Sequence, residues 1–178
     1  MNSDQTIELS SDDLRAVVRF AAMCAREALG LFERSNPNDP RPRAALDAAE
    51  AFATGGRRSN EQRSTAFAAH RAAKAATDQA AQHAGRAAGD AAASAYLHPL
   101  AQSSQVGHII GAAANAARAF ELDSGGDTSI GAQRLAEFQR YATPHLRNVL
   151  ARYPEVPHGS GRLSELMRDL DTSLRSIP

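Results

Sequence analysis

Several features are scarce in this sequence, and each scarcity argues against a class of protein. The 178 residues include one cysteine, so no internal disulfide can form and a four-cysteine zinc site is excluded. Lys and Arg number 20, as do Asp and Glu, so the chain lacks the basic excess typical of proteins that bind nucleic acid or an acidic membrane surface. No apolar run approaches the roughly 18 residues that span a bilayer, and the polar, acidic segment 1–10 is unlike a secretory signal. We therefore expect a cytoplasmic protein.

Strand-forming residues are also few, whereas alanine is abundant. The chain has 38 Ala, 15 Leu, 5 Val and 5 Ile. Alanine is the best helix former but fills little core volume, so helices rich in it pack closely. The predicted fold class is therefore all-α, a compact single-domain bundle of about eight helices with Ala/Gly-rich packing. The domain spans 1–178, and its segment 1–9 is expected to be flexible.

Capping residues mark the predicted helix starts. Ser10 precedes the first helix, and Ser59 with Gln62 forms a capping box that opens the third. Asp78 caps the fourth helix, and Thr143 followed by a proline opens the seventh. The inner face predicted for the third helix consists of Ala66, Phe67, His70 and Ala73.

Two GxxxG patterns lie in the fourth and fifth predicted helices, at Gly85–Gly89 and Gly107–Gly111. Glycine leaves one side of a helix without side chains, so two backbones can approach closely there. The pattern predicts that these two helices pack against each other through their Gly/Ala faces. A groove for a ligand or a partner helix is the alternative.

Motifs for catalysis are missing, and the sequence favours a protein that is not an enzyme. It contains no GxSxG, Walker or dinucleotide-binding motif, and Cys24 lies within an apolar helical stripe as an inert thiol. None of the six histidines is three or four residues from another, so no metal site and no cofactor are predicted. An alternative stays open, in which one pocket lined by His70, Tyr96, His98 and His108 holds a metal ion or a small molecule.

The most basic stretch follows the second predicted helix, which stops at Gly55 and Gly56. Arg57 and Arg58 come next, immediately before the third helix begins. Guanidinium groups beside a helix N-terminus can bind an anion or an acidic partner. Interleaved carboxylates, Asp47 among them, favour instead a solvated surface of salt bridges.

Ordered blocks along nearly the whole chain resemble a bacterial family of immunity proteins, the immunity-protein-five-like domain. The resemblance is carried by eight blocks: Asp39–Arg43, Ala51–Ala53, Gly56–Arg58, Ala68–Ala73, Ala95–Ala101, Gln105–Gly111, Leu150–Pro154 and Gly161–Met167. It implies a protein that binds and neutralises a bacterial toxin made by its own cell or its kin, and it supplies no catalytic residues.

Two functions therefore remain. The first is an immunity protein whose partner is a cognate toxin, either a protein or a small molecule, with neither nucleic acid nor membrane as a partner. The neutral chain suits a neutral or acidic toxin better than a basic nuclease. The second is a helical bundle that sequesters a small molecule or metal, or an enzyme with a histidine-lined pocket. Each buried alanine contributes little apolar area, so a homodimer that buries further surface is possible with either function. The candidate binding residues are Arg57, Arg58, His70, Tyr96, His98 and His108.

Overall fold

The first helix, α1, shows how the sequence sets its own boundaries. The computed structural model describes residues 6–177, and α1 covers Ser11–Ser35. Ser10 Oγ accepts from Asp13 N at 3.0 Å while Asp13 Oδ2 accepts from Ser10 N at 2.9 Å, a complete capping box. The helix buries the stripe that the apolar spacing indicates, from Leu14 to Phe32.

Seven further helices follow in the described part of the chain. They are α2 (Arg41–Ala53), α3 (Asn60–Ala75), α4 (Gln79–Ala93), α5 (Val106–Asp123), α6 (Thr128–Phe138), α7 (Pro144–Ala151) and α8 (Arg162–Ser176). Single 3₁₀ turns lie at Ser94–Tyr96, Ser103–Gln105 and Gln139–Tyr141. The predicted caps Ser59, Asp78 and Thr143 each accept a backbone N–H of the following helix. The predicted all-α class is confirmed.

Alanine decides how the bundle packs. Helix α4 lies at the centre against α1, α3 and α5, and α2 and α6–α8 surround these four. Almost every alanine of α4 and α5 is fully buried. Side chains this small let the helix axes approach closely, so the core consists of many short contacts. No helix among residues 6–177 is both long enough and apolar enough to cross a membrane.

The N-terminal segment returns to the body of the protein. Thr6 forms an isolated antiparallel bridge with Leu100. Ile7 is buried, and its backbone N–H donates to Pro99 O at 2.8 Å. The other part of the segment that we expected to be flexible, residues 1–5, lies outside the described residues.

The glycines of the two GxxxG patterns pack against different helices. On α4, a Cβ at Gly85 would lie 2.9 Å from the Ala73 Cβ, and one at Gly89 would lie 2.8 Å from the His70 ring. Both contacts are with α3. On α5, Gly111 faces Asp90 of α4. Helices α4 and α5 do pack against each other, as predicted. The glycines of α4, however, make room for α3 and not for α5, so that part of the prediction is wrong.

The inward position predicted for Phe67 is also wrong. Ala66 and Ala73 are buried as predicted, and the other buried residues of α3 are Gln62, Ala69 and Ala72. Consecutive helical residues are rotated by about 100°, so Phe67 points away from the core and its side chain is 59% exposed.

Candidate functional site

A glycine turn places the two candidate arginines. At the end of α2, Gly56 N donates to Ala51 O at 2.9 Å and Gly55 N to Phe52 O at 3.2 Å, which is a Schellman turn. Gly55 has φ +113°, and a Cβ on Gly56 would lie 2.5 Å from Ala51 O. Only glycine fits both positions, and the turn leads the chain back over the start of α1.

The returning chain closes one side of a cleft of about 540 Å³, which we call the arginine cleft. The other sides come from the N-terminal turn of α1 and the segment after the 3₁₀ turn at Ser94–Tyr96. The lining residues are Leu9, Ser11, Leu14, Arg15, Phe52, Arg57, Arg58, Leu97 and Pro99. The cleft thus combines three guanidinium groups with apolar walls.

The loop is held from the side of α3 as well. Ser59 N donates to Gln62 Oε1 at 2.8 Å, and the buried Gln62 amide donates to Ala48 O of α2 at 3.2 Å. Tyr96 Oη donates to Ser59 O at 2.6 Å. The basic loop is therefore fixed to α2, to α3 and to the end of α4.

Tyr96 also carries two cations on its ring. The guanidinium carbon of Arg63 lies 4.6 Å from the ring centroid, and that of Arg58 lies 5.5 Å from it. Cation–π contacts of this kind hold a long side chain in place without neutralising its charge. The structure thus brings Arg58 and Tyr96 together, with Arg57 next to them in the loop.

The outer side of α3 continues this basic surface, and we call it the α3 face. It consists of the exposed residues Arg63, Ser64, Phe67, Arg71 and Lys74. Neither Arg71 nor Lys74 has a carboxylate within 4 Å among residues 6–177. Glu61, in the first turn, is the only acidic residue of α3. An exposed phenylalanine is therefore surrounded by uncompensated positive charge.

Among residues 6–177, Met23 of α1 is the other large apolar residue that is strongly exposed, at 41%. Its charged neighbours are already paired. Arg26 contacts Asp47 at 3.1 Å and Glu50 at 2.7 Å, and Glu27 accepts from a tyrosine hydroxyl at 2.7 Å. The surroundings of Met23 are balanced in charge, whereas those of Phe67 are not.

A chain of polar side chains, all but one of them half-buried, links α3, α4 and α5. Asn115 Nδ2 donates to Asp90 Oδ2 at 2.8 Å, and Asn115 Oδ1 accepts from His83 Nδ1 at 2.8 Å. His70 Nε2 lies 3.5 Å from Asp90 Oδ1. Gly89 leaves the space that the His70 ring fills. These contacts fix the positions of α3, α4 and α5 relative to one another. Alanine faces alone would allow several alignments of similar free energy.

Burial shifts the pKa values of the ionisable groups in this chain of polar side chains. It raises the pKa of Asp90 to about 7, although the Asn115 hydrogen bond and the charge of Arg86 oppose that rise. Burial also lowers the pKa of both His70 and His83, and Arg86 lowers each further. Because of these shifts, His70 and His83 are neutral at neutral pH, whereas the Asp90 carboxyl titrates near neutral pH.

His98 and His108 lie elsewhere, at the segment that joins α4 to α5. His98 is exposed, its backbone N–H donates to Gln105 Oε1 at 3.1 Å, and its carbonyl accepts from Tyr153 Oη at 2.8 Å. His108 is half-buried, and burial together with the nearby His98 lowers its pKa. The structure therefore places these two histidines near each other, and His70 in the separate polar chain.

Residues 6–177 contain no group of three His, Cys, Asp or Glu side chains placed to hold a metal ion. Cys24 is fully buried, and burial raises the pKa of its thiol well above the usual value. A thiol in that environment is a poor nucleophile.

Three residues that stand out in the structure were not among the candidate site residues predicted from the sequence: Asp90, Asn115 and Phe67. Asp90 and Asn115 are single polar residues within Ala/Gly runs of α4 and α5, and that isolation is the signal that could have found them. Phe67 lies four residues from both Arg63 and Arg71, so a helical projection centred on the basic residues would have placed it on their face.

A comparison with known proteins complements this geometry. The family model described as "Imm-5 like putative immunity protein" matches residues 8–144. That range contains α1–α6, the arginine cleft, the α3 face and the polar chain. No curated protein and no solved structure matches the chain.

Proposed function

The chain belongs to the family of Imm-5 like putative immunity proteins, and from this premise we propose that it binds a cognate bacterial toxin protein and neutralises it through the α3 face. The observation that supports this proposal is the exposed Phe67 among unpaired cations. Large aromatic side chains at the centre of a patch, with charged groups at its rim, are typical of the residues that dominate binding.

The energetics favour a partner over water as the neighbour of Phe67. Fully burying a phenylalanine side chain stabilises by about 1.5–3 kcal/mol relative to leaving it exposed. Within the part of the chain that the structure describes, Phe67 is 59% exposed, so its own protein covers only part of the ring. A toxin that buries the exposed part of the ring gains somewhat more than half of that free energy, without a rearrangement of the helix that carries it.

The charges define the chemistry of the partner surface. Arg63, Arg71 and Lys74 lack carboxylate partners within the described chain, so an acidic surface around an apolar socket complements the α3 face. Because the whole chain has no net charge, the attraction is local to this face. An acidic or neutral toxin surface therefore fits, and a basic one does not.

The test is native mass spectrometry of the tagged protein purified gently from its own host. A second polypeptide at fixed stoichiometry identifies the partner, and a homodimer is resolved in the same spectrum. Phe67→Ser should lose the partner, whereas Met23→Ser, which removes the other exposed apolar side chain, should keep it. Retention of the partner by Phe67→Ser would exclude the α3 face as the contact.

Neutralisation needs its own measurement. The captured partner should arrest growth when it is expressed alone, and co-expression of the wild-type protein should restore growth. Arg71→Glu with Lys74→Glu should abolish rescue, because the reversed charges repel an acidic surface. Arg57→Glu with Arg58→Glu tests whether the contact extends to the arginine cleft. A partner that is harmless when expressed alone would contradict the proposed toxin.

A further inference from the structure

The arginine cleft has the size and lining of a small-molecule site. Its volume of about 540 Å³ lies within the usual range of about 300–1,000 Å³ for such sites. Five of its nine lining residues are apolar: Leu9, Leu14, Phe52, Leu97 and Pro99. A ligand in this cleft can therefore bury an apolar body.

Positive charge concentrates on the same walls. Arg15, Arg57 and Arg58 all line the cleft, and none of the other lining residues is acidic. The nearest compensation is Asp12, whose Oδ1 lies 3.0 Å from Arg15 Nη1. Three guanidinium groups facing one carboxylate leave an excess of positive charge around the cleft.

Many of the guanidinium donors are also unused. Arg57 makes no hydrogen bond or ion pair within residues 6–177. Arg58 makes one long hydrogen bond, from Nη1 to Ala95 O at 3.3 Å. Arg15 Nε is buried and has no acceptor, and its Nη2 reaches Gly55 O only at 3.5 Å. The donors of Arg57 and Arg58 are exposed, so a ligand that supplies charged acceptors can reach them and form hydrogen bonds that the protein itself does not provide.

The cleft is formed before a ligand arrives. The Schellman turn at Gly55 and Gly56 and the Tyr96–Ser59 hydrogen bond hold the loop on both sides. Tyr96 holds Arg58, and the Phe52 ring lies 5.7 Å below the guanidinium of Arg15. Little freedom of the loop backbone, of Arg15 or of Arg58 therefore remains to be lost on binding, whereas the exposed Arg57 side chain is ordered by the ligand.

We propose that the arginine cleft binds a small organic oxyanion, a molecule with a phosphate or carboxylate group on an apolar body. The oxyanion accepts hydrogen bonds from Arg57 and Arg58, whose planar forks match such groups in geometry. The apolar body lies against Phe52, Leu14 and Leu97. This site is independent of the α3 face, and it does not require a toxin.

The test is isothermal titration calorimetry of the full chain with three probes: phenyl phosphate, inorganic phosphate and phenol. Phenyl phosphate should bind at one site per chain. Inorganic phosphate should bind about tenfold more weakly because it leaves the apolar walls exposed to water. Phenol, which lacks the oxyanion, should bind at least as weakly as inorganic phosphate.

Substitutions locate the binding. Arg57→Gln with Arg58→Gln should weaken phenyl phosphate binding by about tenfold or more, since hydrogen bonds to charged groups are lost. Arg71→Gln with Lys74→Gln removes the same charge from the α3 face and should leave binding unchanged. Because Arg58 also packs on Tyr96, Arg57→Gln alone is the second variant. Arg57 makes no hydrogen bond or ion pair with the rest of residues 6–177, so its substitution removes none from the fold, and it should weaken binding about threefold or more.

Several results would overturn the proposal. They are the absence of saturable binding of phenyl phosphate, equal affinity for inorganic phosphate or phenol, and binding that the Arg57 and Arg58 substitutions do not weaken. Equal weakening by the Arg71 and Lys74 substitutions would show attraction to overall charge only.

Discussion

Replacing Arg162 with alanine is expected to destabilise the fold by about 3 kcal/mol, because the change leaves a buried carboxylate short of a partner. The Glu121 side chain on α5 is fully buried. Arg162 of α8 contacts Glu121 Oε1 through Nε at 2.9 Å and through Nη2 at 2.6 Å. This pair joins the C-terminal helix to the centre of the bundle.

The magnitude follows from what remains after the substitution. Removing one partner of a buried ion pair costs about 3–5 kcal/mol. Arg118 Nη1 still reaches Glu121 Oε2 at 2.7 Å, so the lower end of that range applies. For a chain of this length, about 3 kcal/mol corresponds to a fall of roughly 6–12 °C in Tm.

Urea unfolding followed by circular dichroism at the helical minimum measures this change in free energy. The matched control is Arg43→Ala, since Arg43 also binds a glutamate through two 2.7 Å contacts but is 52% exposed. Exposed pairs contribute at most about 1 kcal/mol. Adding Glu121→Gln to Arg162→Ala should recover part of the loss because the amide needs no counter-charge. Equal costs for Arg162→Ala and Arg43→Ala would refute the reasoning.

Three further predictions concern the same packing. Gly131→Ala places a Cβ 2.0 Å from Glu121 Oε1, so we expect a loss of about 3 kcal/mol or more in urea unfolding, or no folded protein. Gly89→Ala displaces the His70 ring and should cost about 1–3 kcal/mol, and His70→Ala in the same chain should restore most of it, as a double-mutant cycle would measure. The pKa of Asp90 is about 7 in the folded protein and 3.8 ordinarily, so the folded state keeps a proton that the unfolded chain loses, and the contribution of Asp90 to stability falls as pH rises from about 4 to 7. Asp90→Asn should remove this contribution, so the difference in free energy of unfolding between the wild type and Asp90→Asn should change over that pH range. If urea unfolding gives a difference that is the same at every pH, the prediction is contradicted.

Local chemistry explains why the helices could be predicted from the sequence. The capping residues Ser10, Ser59 and Asp78 act on N–H groups within three residues of themselves. The glycines that end α2 act within one turn. Interactions over such short distances can be read from the chain alone, and these helix boundaries were correct.

The candidate site depends on how the helices are rotated relative to one another, which the sequence does not state directly. An alanine can face inward or outward at little cost in free energy. The alanines of α3 therefore fit more than one rotation of the helix, and the rotation that placed Phe67 inward was wrong. The Asp90–Asn115 contact requires a specific rotation of both α4 and α5. The arginine cleft joins residues about 40 positions apart, such as Arg15 and Arg57, and its existence depends on where the loop folds back.

The alanine-lined inner side of α3 has a consequence for how such a protein diversifies. Ala66, Ala69, Ala72 and Ala73 fill the inward positions, with Gln62 as the one large side chain among them. None of them touches solvent appreciably, and the outward residues do not help to fill the core. The outward residues can therefore be exchanged one by one at little cost in stability, so the charge and shape of this face can change while the scaffold stays the same.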